Sequence, residues 1–267
     1  MFAKSICQQN GENMILAVDI GNTNIVVGGF DKDKIAFVER ISTDTLKTEL
    51  EYVVQFHALM EIYDLKSEQF RGAIISSVVP PLNHILVSAI KKFYGIDAML
   101  VGPGVKTGIN IQMDNPASVG ADLIVNAVAG LEKYGYPLIM IDMGTATTIS
   151  VLDDKKNYIG GTIMPGVRVS LDSLVNRTSQ LPKIALEAPV KVVGRNTIDC
   201  MKSGIIMGQA ASMDGMIDRI WKELGYETKI VATGGLASRI IPNCVHDIIV
   251  DDALTLIGLK IIYEKNM

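Results

Sequence analysis

The chain has 267 residues, 48% of them hydrophobic, with a formal net charge of −4 and a pI of about 5.4. That is enough apolar material for one large domain or two modest ones with sizeable cores, and the acidic balance speaks against a protein that holds nucleic acid on a basic surface. Cys7, Cys200 and Cys244 are too few and too widely spaced for a disulfide framework or a zinc site, His57, His84 and His246 lack ligand spacing, and no apolar run reaches the roughly 18 residues of a membrane helix.

Residues 1–13 carry one lysine and no apolar stretch, so they read as a flexible extension ahead of Met14 rather than a signal peptide. Residues 14–19 (MILAVD) form a buried strand that runs into a glycine turn, and 24–30 resume the β-branched pattern, which predicts a hairpin. A third strand is expected at 35–41, a helix at 48–63, a strand at 71–79, a helix at 81–94 and a strand at 98–101. Asn115 and Pro116 read as the start of a helix that runs to about 134, because Asn caps well and Pro suits the first helical position. A strand at 137–142 again ends in Asp and a glycine turn. A helix over 197–224, a strand at 229–232, a Gly-Gly turn and a terminal helix from about Leu254 complete the series. Strands alternating with helices predict an α/β architecture.

The chain echoes itself. VDIGNTNIVVGGFD, with Asp19, resembles IDMGTATTISVLDD, with Asp142, nearly half the chain away. Both read as apolar strand, Asp, any residue, Gly, hydroxyl-rich turn, apolar strand. Two similar lobes are expected, 14–136 and 137–267.

In Asp19-Ile20-Gly21-Asn22-Thr23-Asn24, glycine permits a bend that can present backbone N–H groups and short polar side chains to an anion, and Asp19 can hold Mg²⁺ directly or through water. A tight hairpin rich in turn formers would look the same; the second copy, Asp142 through Thr148, tips the balance towards a polyphosphate site. Gly234-Gly235, between strand and helix, allows close backbone approach to a nucleotide, though such pairs also arise from packing. Asp122 follows Gly120 and Ala121, which leave space beside its carboxylate, and shares a helix face with Asn126. It reads either as a general base for a hydroxyl or as a solvated acid on an amphipathic helix, and spacing alone leaves both open.

Taken in order, DIGNTN at 19–24, NPASVGAD at 115–122, IDMGTATT at 141–148, GGTIMPGV at 160–167, SQLPKI at 179–184, GRNT at 194–197, SGIIMG at 203–208 and ATGG at 232–235 resemble the type III pantothenate kinases of the acetate/sugar kinase–actin superfamily. The resemblance implies two ribonuclease-H-like lobes with mixed sheets flanked by helices. It implies transfer of the ATP γ-phosphoryl group to pantothenate, the first step towards coenzyme A, in a cytoplasmic homodimer that needs neither nucleic acid nor membrane. Asp19, Ile20, Gly21, Asn22, Thr23, Asn24, Ile25 and Val26 would match the phosphate segment, with Mg²⁺ at Asp19. Thr145, Gly234 and Gly235 would face the nucleotide. Asp122 would match the proton acceptor and Asp142 the ligand of a monovalent cation, K⁺ or NH₄⁺. Met113, Gly120, Ala121, Leu123 and Thr197 would lie on the substrate side.

Two positions depart from the family pattern. Leu123 stands where the family usually has Arg, and Met113 where it often has Tyr. By the resemblance both expected residues belong to the substrate side, where loss of a charge-assisted hydrogen bond weakens binding by about 1.5–3 kcal/mol; the ATP-side motifs are intact, so these changes bear on the substrate more than on ATP. They motivate two alternatives: a kinase for a related small hydroxyl compound, and a nucleotide-binding regulator with impaired catalysis.

Overall fold

A computed structural model describes residues 13–267, so the expected N-terminal extension lies, apart from Asn13, outside the described residues. The chain forms two compact units. The first runs through Lys106 and takes in Leu259–Met267; the second is Thr107–Gly258.

The first unit contains β1 (Met14–Ile20), β2 (Asn24–Asp31), β3 (Lys34–Ser42), α1 (Glu49–Tyr63), β4 (Phe70–Ser77), α2 (Pro80–Tyr94) and β5 (Ala98–Leu100). Its sheet has the order β3-β2-β1-β4-β5. The first three strands form an antiparallel meander, and β4 and β5 add in parallel. The central strand β1 is apolar at nearly every position because both of its faces are covered. On one face Leu16, Val18 and Ile20 pack with Tyr52 and Phe56 of α1 and with Leu82, Leu86 and Ile90 of α2. Truncating a buried aromatic such as Phe56 to alanine removes roughly 3–5 kcal/mol. Proline starts α2 and Gly95, at φ 73°, ends it.

The second unit holds β6 (Asn110–Ile111), α3 (Ala121–Tyr134), β7 (Leu138–Met143), β8 (Ala146–Leu152), β9 (Asn157–Pro165), α4 (Val167–Arg177), α5 (Thr197–Leu224), β10 (Lys229–Thr233), α6 (Ala237–Ile240) and β11 (Ile249–Val250). It also contains the start of α7 (Leu254–Asn266), whose later turns belong to the first unit. The sheet order is β11-β10-β7-β8-β9-β6. Without β6 this is the first sheet again, meander and parallel pair alike. The duplication visible in the sequence is therefore a duplication of whole sheets, and the two ribonuclease-H-like α/β units are present. One face of the second sheet packs Ile139, Ile141 and Ile149 against Ile205, Ile206 and Met213 of α5. The other packs Leu138, Met140 and Leu152 against Ala127 and Ala129 of α3 and Leu254 of α7.

Three details differ from the sequence reading. The compact units divide at Lys106, not at 136/137. The segment that follows pairs β6 with β9 and packs α3 on β7 and β8, while Tyr263 of α7 sits against Gly72 of β4. The helix expected from Asn115 is interrupted: Asn115 and Pro116 begin only a 3₁₀ turn, Val119 and Gly120 are extended, and α3 starts at Ala121. The strand β9 and helix α4 were not anticipated at all. The glycines of β9 weaken its strand signature, yet Gly161 lies so close to the Ile149 carbonyl that a Cβ there would be only 1.8 Å from it.

Candidate active site

Asp142 lies near the end of β7, in register with Thr148 of β8 and Thr233 of β10. These side chains therefore share one face of the sheet. Asn126, buried in α3, donates from Nδ2 to Asp142 Oδ2 at 3.0 Å. Thr255, in the first turn of α7, donates its hydroxyl to Asn126 Oδ1 at 2.7 Å. The two contacts leave the Asn126 amide only one satisfied orientation. On the other side Gly234, at φ 95°, presses against the carboxylate: a Cβ there would stand 2.7 Å from Asp142 Oδ1 and equally close to the Met143 backbone. The Gly-Gly signal thus has a packing cause in addition to any role towards a nucleotide. Burial pushes the Asp142 carboxyl up to about 6; the negative charge of Asp122 adds to the rise, and the Asn126 hydrogen bond opposes it.

Because α3 starts late, Asp122 occupies its first turn rather than its middle. It accepts the Leu123 N–H at 2.8 Å. Burial nevertheless raises its carboxyl above the ordinary range, against the effect of the backbone N–H groups of Leu123 and Asp122. A solvated surface acid would not show this. Gly120 makes the space: a Cβ at residue 120 would lie 2.5 Å from Asp122 Oδ1. Leu123 borders the same space, its Cγ 3.9 Å from that point. Tyr158 of β9 is buried, shares a 3.1 Å hydrogen bond with Ser150, and has its hydroxyl pKa raised by burial, with the charge of Asp122 contributing.

The first unit carries the other turn. Asp19 lies in register with Val26 of β2 and Ser76 of β4, and the buried Ser76 hydroxyl has no hydrogen-bond partner among the described residues. Gly21 N–H donates to the Asn24 carbonyl at 3.0 Å and closes the turn. Asn22, Thr23 and Asn24 are exposed. From the residue that follows β3, Thr43 donates its N–H to the Thr23 carbonyl at 3.0 Å and its hydroxyl to the Gly21 carbonyl at 2.6 Å.

The residues singled out in the sequence therefore fall in groups. Asp122, Gly120, Ala121 and Leu123 open α3, and Asp142 is linked to that helix through Asn126. Gly234 touches Asp142, and Gly235 follows it into the turn before α6. Met113 places its sulfur 3.3 Å from where a Gly160 Cβ would be, beside β9. Thr145 is exposed in the β7–β8 turn, its carbonyl accepting the Gly166 N–H at 3.2 Å. Thr197 is exposed at the start of α5. Residues 19 through 26 belong to the first unit. The sequence reading missed Thr43, Thr255 and Tyr158, each joined to its partner by a contact no local pattern encodes; Gly166 was inside a quoted motif but without a reason.

Among the described residues no three His, Cys, Asp or Glu side chains cluster as a metal site. What the second unit offers is oxygen chemistry with negative charge: a half-buried carboxylate whose ionisation is opposed both by burial and by a second carboxylate. A hard cation relieves that opposition, so the donor set fits one.

A family model described as type III pantothenate kinase matches residues 15–219. A type III pantothenate kinase of Halalkalibacterium halodurans is 45% identical over 95% of this chain and 100% of its own length. One from an Exiguobacterium species is 46% identical over 95% of this chain and 99% of its own. Among solved structures, a protein described as a Baf family transcriptional activator of Campylobacter jejuni aligns with a TM-score of 0.56 at 19% identity, over 94% of this chain and 98% of that one. Component A of (R)-2-hydroxyglutaryl-CoA dehydratase from Acidaminococcus fermentans aligns at 0.54 with 13% identity, over 92% and 95%. At such identities the structural likeness speaks for the duplicated fold alone. The sequence likeness runs nearly end to end through both strand turns and the Asp122 helix, and on that ground the chain belongs to the type III pantothenate kinase family.

Proposed function

We propose that the chain transfers the γ-phosphoryl group of ATP to the hydroxyl of pantothenate, yielding 4′-phosphopantothenate and ADP, at the entry to coenzyme A biosynthesis. The observation that carries this reading is the 45% identity, over 95% of the chain, to a type III pantothenate kinase. It favours pantothenate over a related hydroxyl compound and catalysis over a purely regulatory role.

Within that reading, Asp122 is the general base. Its carboxylate takes the hydroxyl proton as the substrate oxygen attacks the γ-phosphorus and the bond to the ADP oxygen breaks. A raised pKa suits the task, since a base must bind the proton it removes. Gly120 and Ala121 leave room for the alcohol, and Leu123 offers it an apolar wall where the family usually has a guanidinium. Met113 and Thr197 complete the acceptor side.

The segment from Asp19 to Val26 receives the phosphates through exposed turn residues, and Thr145, Gly234 and Gly235 contact the nucleotide. Mg²⁺, held through Asp19, supplies charge neutralisation on the phosphates when bound. Asp142, oriented by Asn126, holds K⁺ or NH₄⁺, and its half-buried carboxylate gains from the positive charge. The working form is a cytoplasmic homodimer.

The test incubates purified protein with Mg-ATP, KCl and pantothenate and measures phosphopantothenate by mass. Turnover that depends on K⁺ or NH₄⁺ is expected. Folded protein that makes no product with either cation would sink the proposal.

A further inference from the structure

We propose that Thr43 is a positioning residue for phosphate binding: by holding the Gly21 carbonyl it turns the N–H of Asn22 towards the phosphates of the nucleotide. This rests on the reading of residues 19–26 as the phosphate segment.

The inference follows from peptide geometry. In a planar trans peptide the C=O of one residue and the N–H of the next point in opposite directions. The Gly21 carbonyl accepts the Thr43 hydroxyl at 2.6 Å, so the Asn22 N–H in the same peptide faces away from Thr43. Asn22 is exposed there, in the turn. Gly21 has no Cβ to restrict rotation of this peptide about its neighbours. Were the peptide to flip, the turn would present a carbonyl oxygen, which repels phosphate, in place of an N–H, which binds it. The Thr43 hydroxyl opposes that flip. Its own N–H, on the Thr23 carbonyl at 3.0 Å, holds the other side of the turn.

The anchor is itself secured. Tyr52, fully buried in α1, donates its hydroxyl to the carbonyl of Asp44 at 3.0 Å, fixing the chain next to Thr43. The second unit shows that the fold does not require the hydroxyl. There the residue after β9, Gly166, makes the corresponding N–H contact to the Thr145 carbonyl at 3.2 Å, yet a Cβ at that position would lie 2.2 Å from the same carbonyl oxygen. The backbone contact belongs to both units; the hydroxyl contact belongs to the first alone.

The experiment compares wild type, T43V, T43A and T43S by calorimetric titration with ADP and with adenosine, and by steady-state kinetics. T43V and T43A are expected to bind ADP about tenfold more weakly, with a parallel rise in the KM for ATP. Adenosine affinity and the KM for pantothenate should stay within about twofold, and T43S should restore ADP binding. Two variants guard against misfolding of either, and the adenosine titration detects general damage, which would weaken both ligands alike. Unchanged ADP affinity in T43A or T43V, equal loss of adenosine, or failure of T43S to restore binding would each overturn the proposal. Wild-type protein that binds no ADP would instead remove the nucleotide reading beneath it.

Discussion

The two sheets share a five-strand order, and a backbone N–H holds the turn at the centre of each, but what is added to that contact differs. In the first unit the residue after the third strand, Thr43, grips the turn with backbone and side chain together. In the second the equivalent residue, Gly166, packs so tightly on Gly144 and Thr145 that no side chain fits. The loops after the parallel strand differ in the same sense. β4 runs into Val78, Val79 and Pro80, whereas β10 runs into Gly234 and Gly235, and Gly234 fits against the Asp142 carboxylate. One unit surrounds its turn with hydroxyls and amides that suit an anion. The other keeps side chains away from a pair of acids, with Gly120 beside Asp122 and Gly234 beside Asp142. The two units share a scaffold, and under the proposed function the differences at equivalent positions would divide anion binding from proton and cation chemistry.

If that division is right, the largest effect comes from the acid at the start of α3. Asp122→Asn keeps the shape and the Leu123 contact but cannot take a proton. A loss of kcat of about 10²–10⁴-fold is expected, with ADP affinity within about twofold of wild type. A variant that loses ADP affinity along with turnover would mean that Asp122 serves the nucleotide and that the division of labour is wrong.

Next is Gly166→Ala. Its methyl group would collide with the backbone oxygens of Thr145 and Gly144, at 2.2 and 2.6 Å, and backbone cannot step aside as a flexible side chain can. We expect a loss of about 3 kcal/mol in urea unfolding, the upper part of the range for overpacking. Thr43→Ala, at the equivalent place in the first unit, should lose only about 1 kcal/mol, the value of one hydrogen bond. Equal losses would erase the distinction between a packed and a hydrogen-bonded turn.

The third prediction concerns charge. The Asp142 pKa is raised from 3.8 to about 6 in the folded chain. The folded state therefore holds this proton more tightly than the unfolded state, and ionisation opposes folding. The penalty is absent below about pH 3.8 and complete above about pH 6. Asp142→Asn removes it, so without monovalent cations the variant should exceed wild type in stability by up to about 2–3 kcal/mol at pH 7.5, with the gap closing towards pH 4. Potassium should stabilise wild type and not the variant, which should also lose cation-dependent turnover. A variant less stable than wild type at pH 7.5 would show that the Asn126 hydrogen bond outweighs burial.

Much of this arrangement was legible in the sequence, for a physical reason. Strand ends at Asp19 and Asp142 stand out because apolar runs, an acid and a glycine are local features, and their repetition announces the repeated sheet. The space beside Asp122 was legible too, since Gly120 adjoins it in the chain. The contacts that orient these groups were not. Thr255 reaches Asn126 from 129 positions away, and Thr43 reaches Gly21 from 22; side chains joined over such separations leave no periodicity behind. The helix start at Asn115 misled because Asn-Pro favours any helical turn, and nothing nearby signals that Val119 and Gly120 stay extended. β9 was hidden by its own glycines, which are there to let two backbones approach.

The smallest effect, and the finest probe of the difference between the turns, is the central glycine of each. Neither Gly21 nor Gly144 is among the glycines at positive φ, so alanine meets no backbone strain at either and only space decides. At Gly21 the new methyl would stand 3.0 Å from the Asn24 carbonyl oxygen, the acceptor that closes the turn. At Gly144 the nearest atoms are Asp142 Oδ1 at 3.4 Å and the Ala146 carbonyl at 3.6 Å, ordinary contact distances. Gly21→Ala must therefore push Asn24 outward and stretch the closing hydrogen bond, a change of about 1 kcal/mol accompanied by a several-fold rise in the KM for ATP. Gly144→Ala should change stability by less than about 0.5 kcal/mol. If ATP affinity falls equally in both variants, the second turn meets the phosphates as closely as the first, and its roomier glycine serves ligand approach rather than the freedom of Asp142.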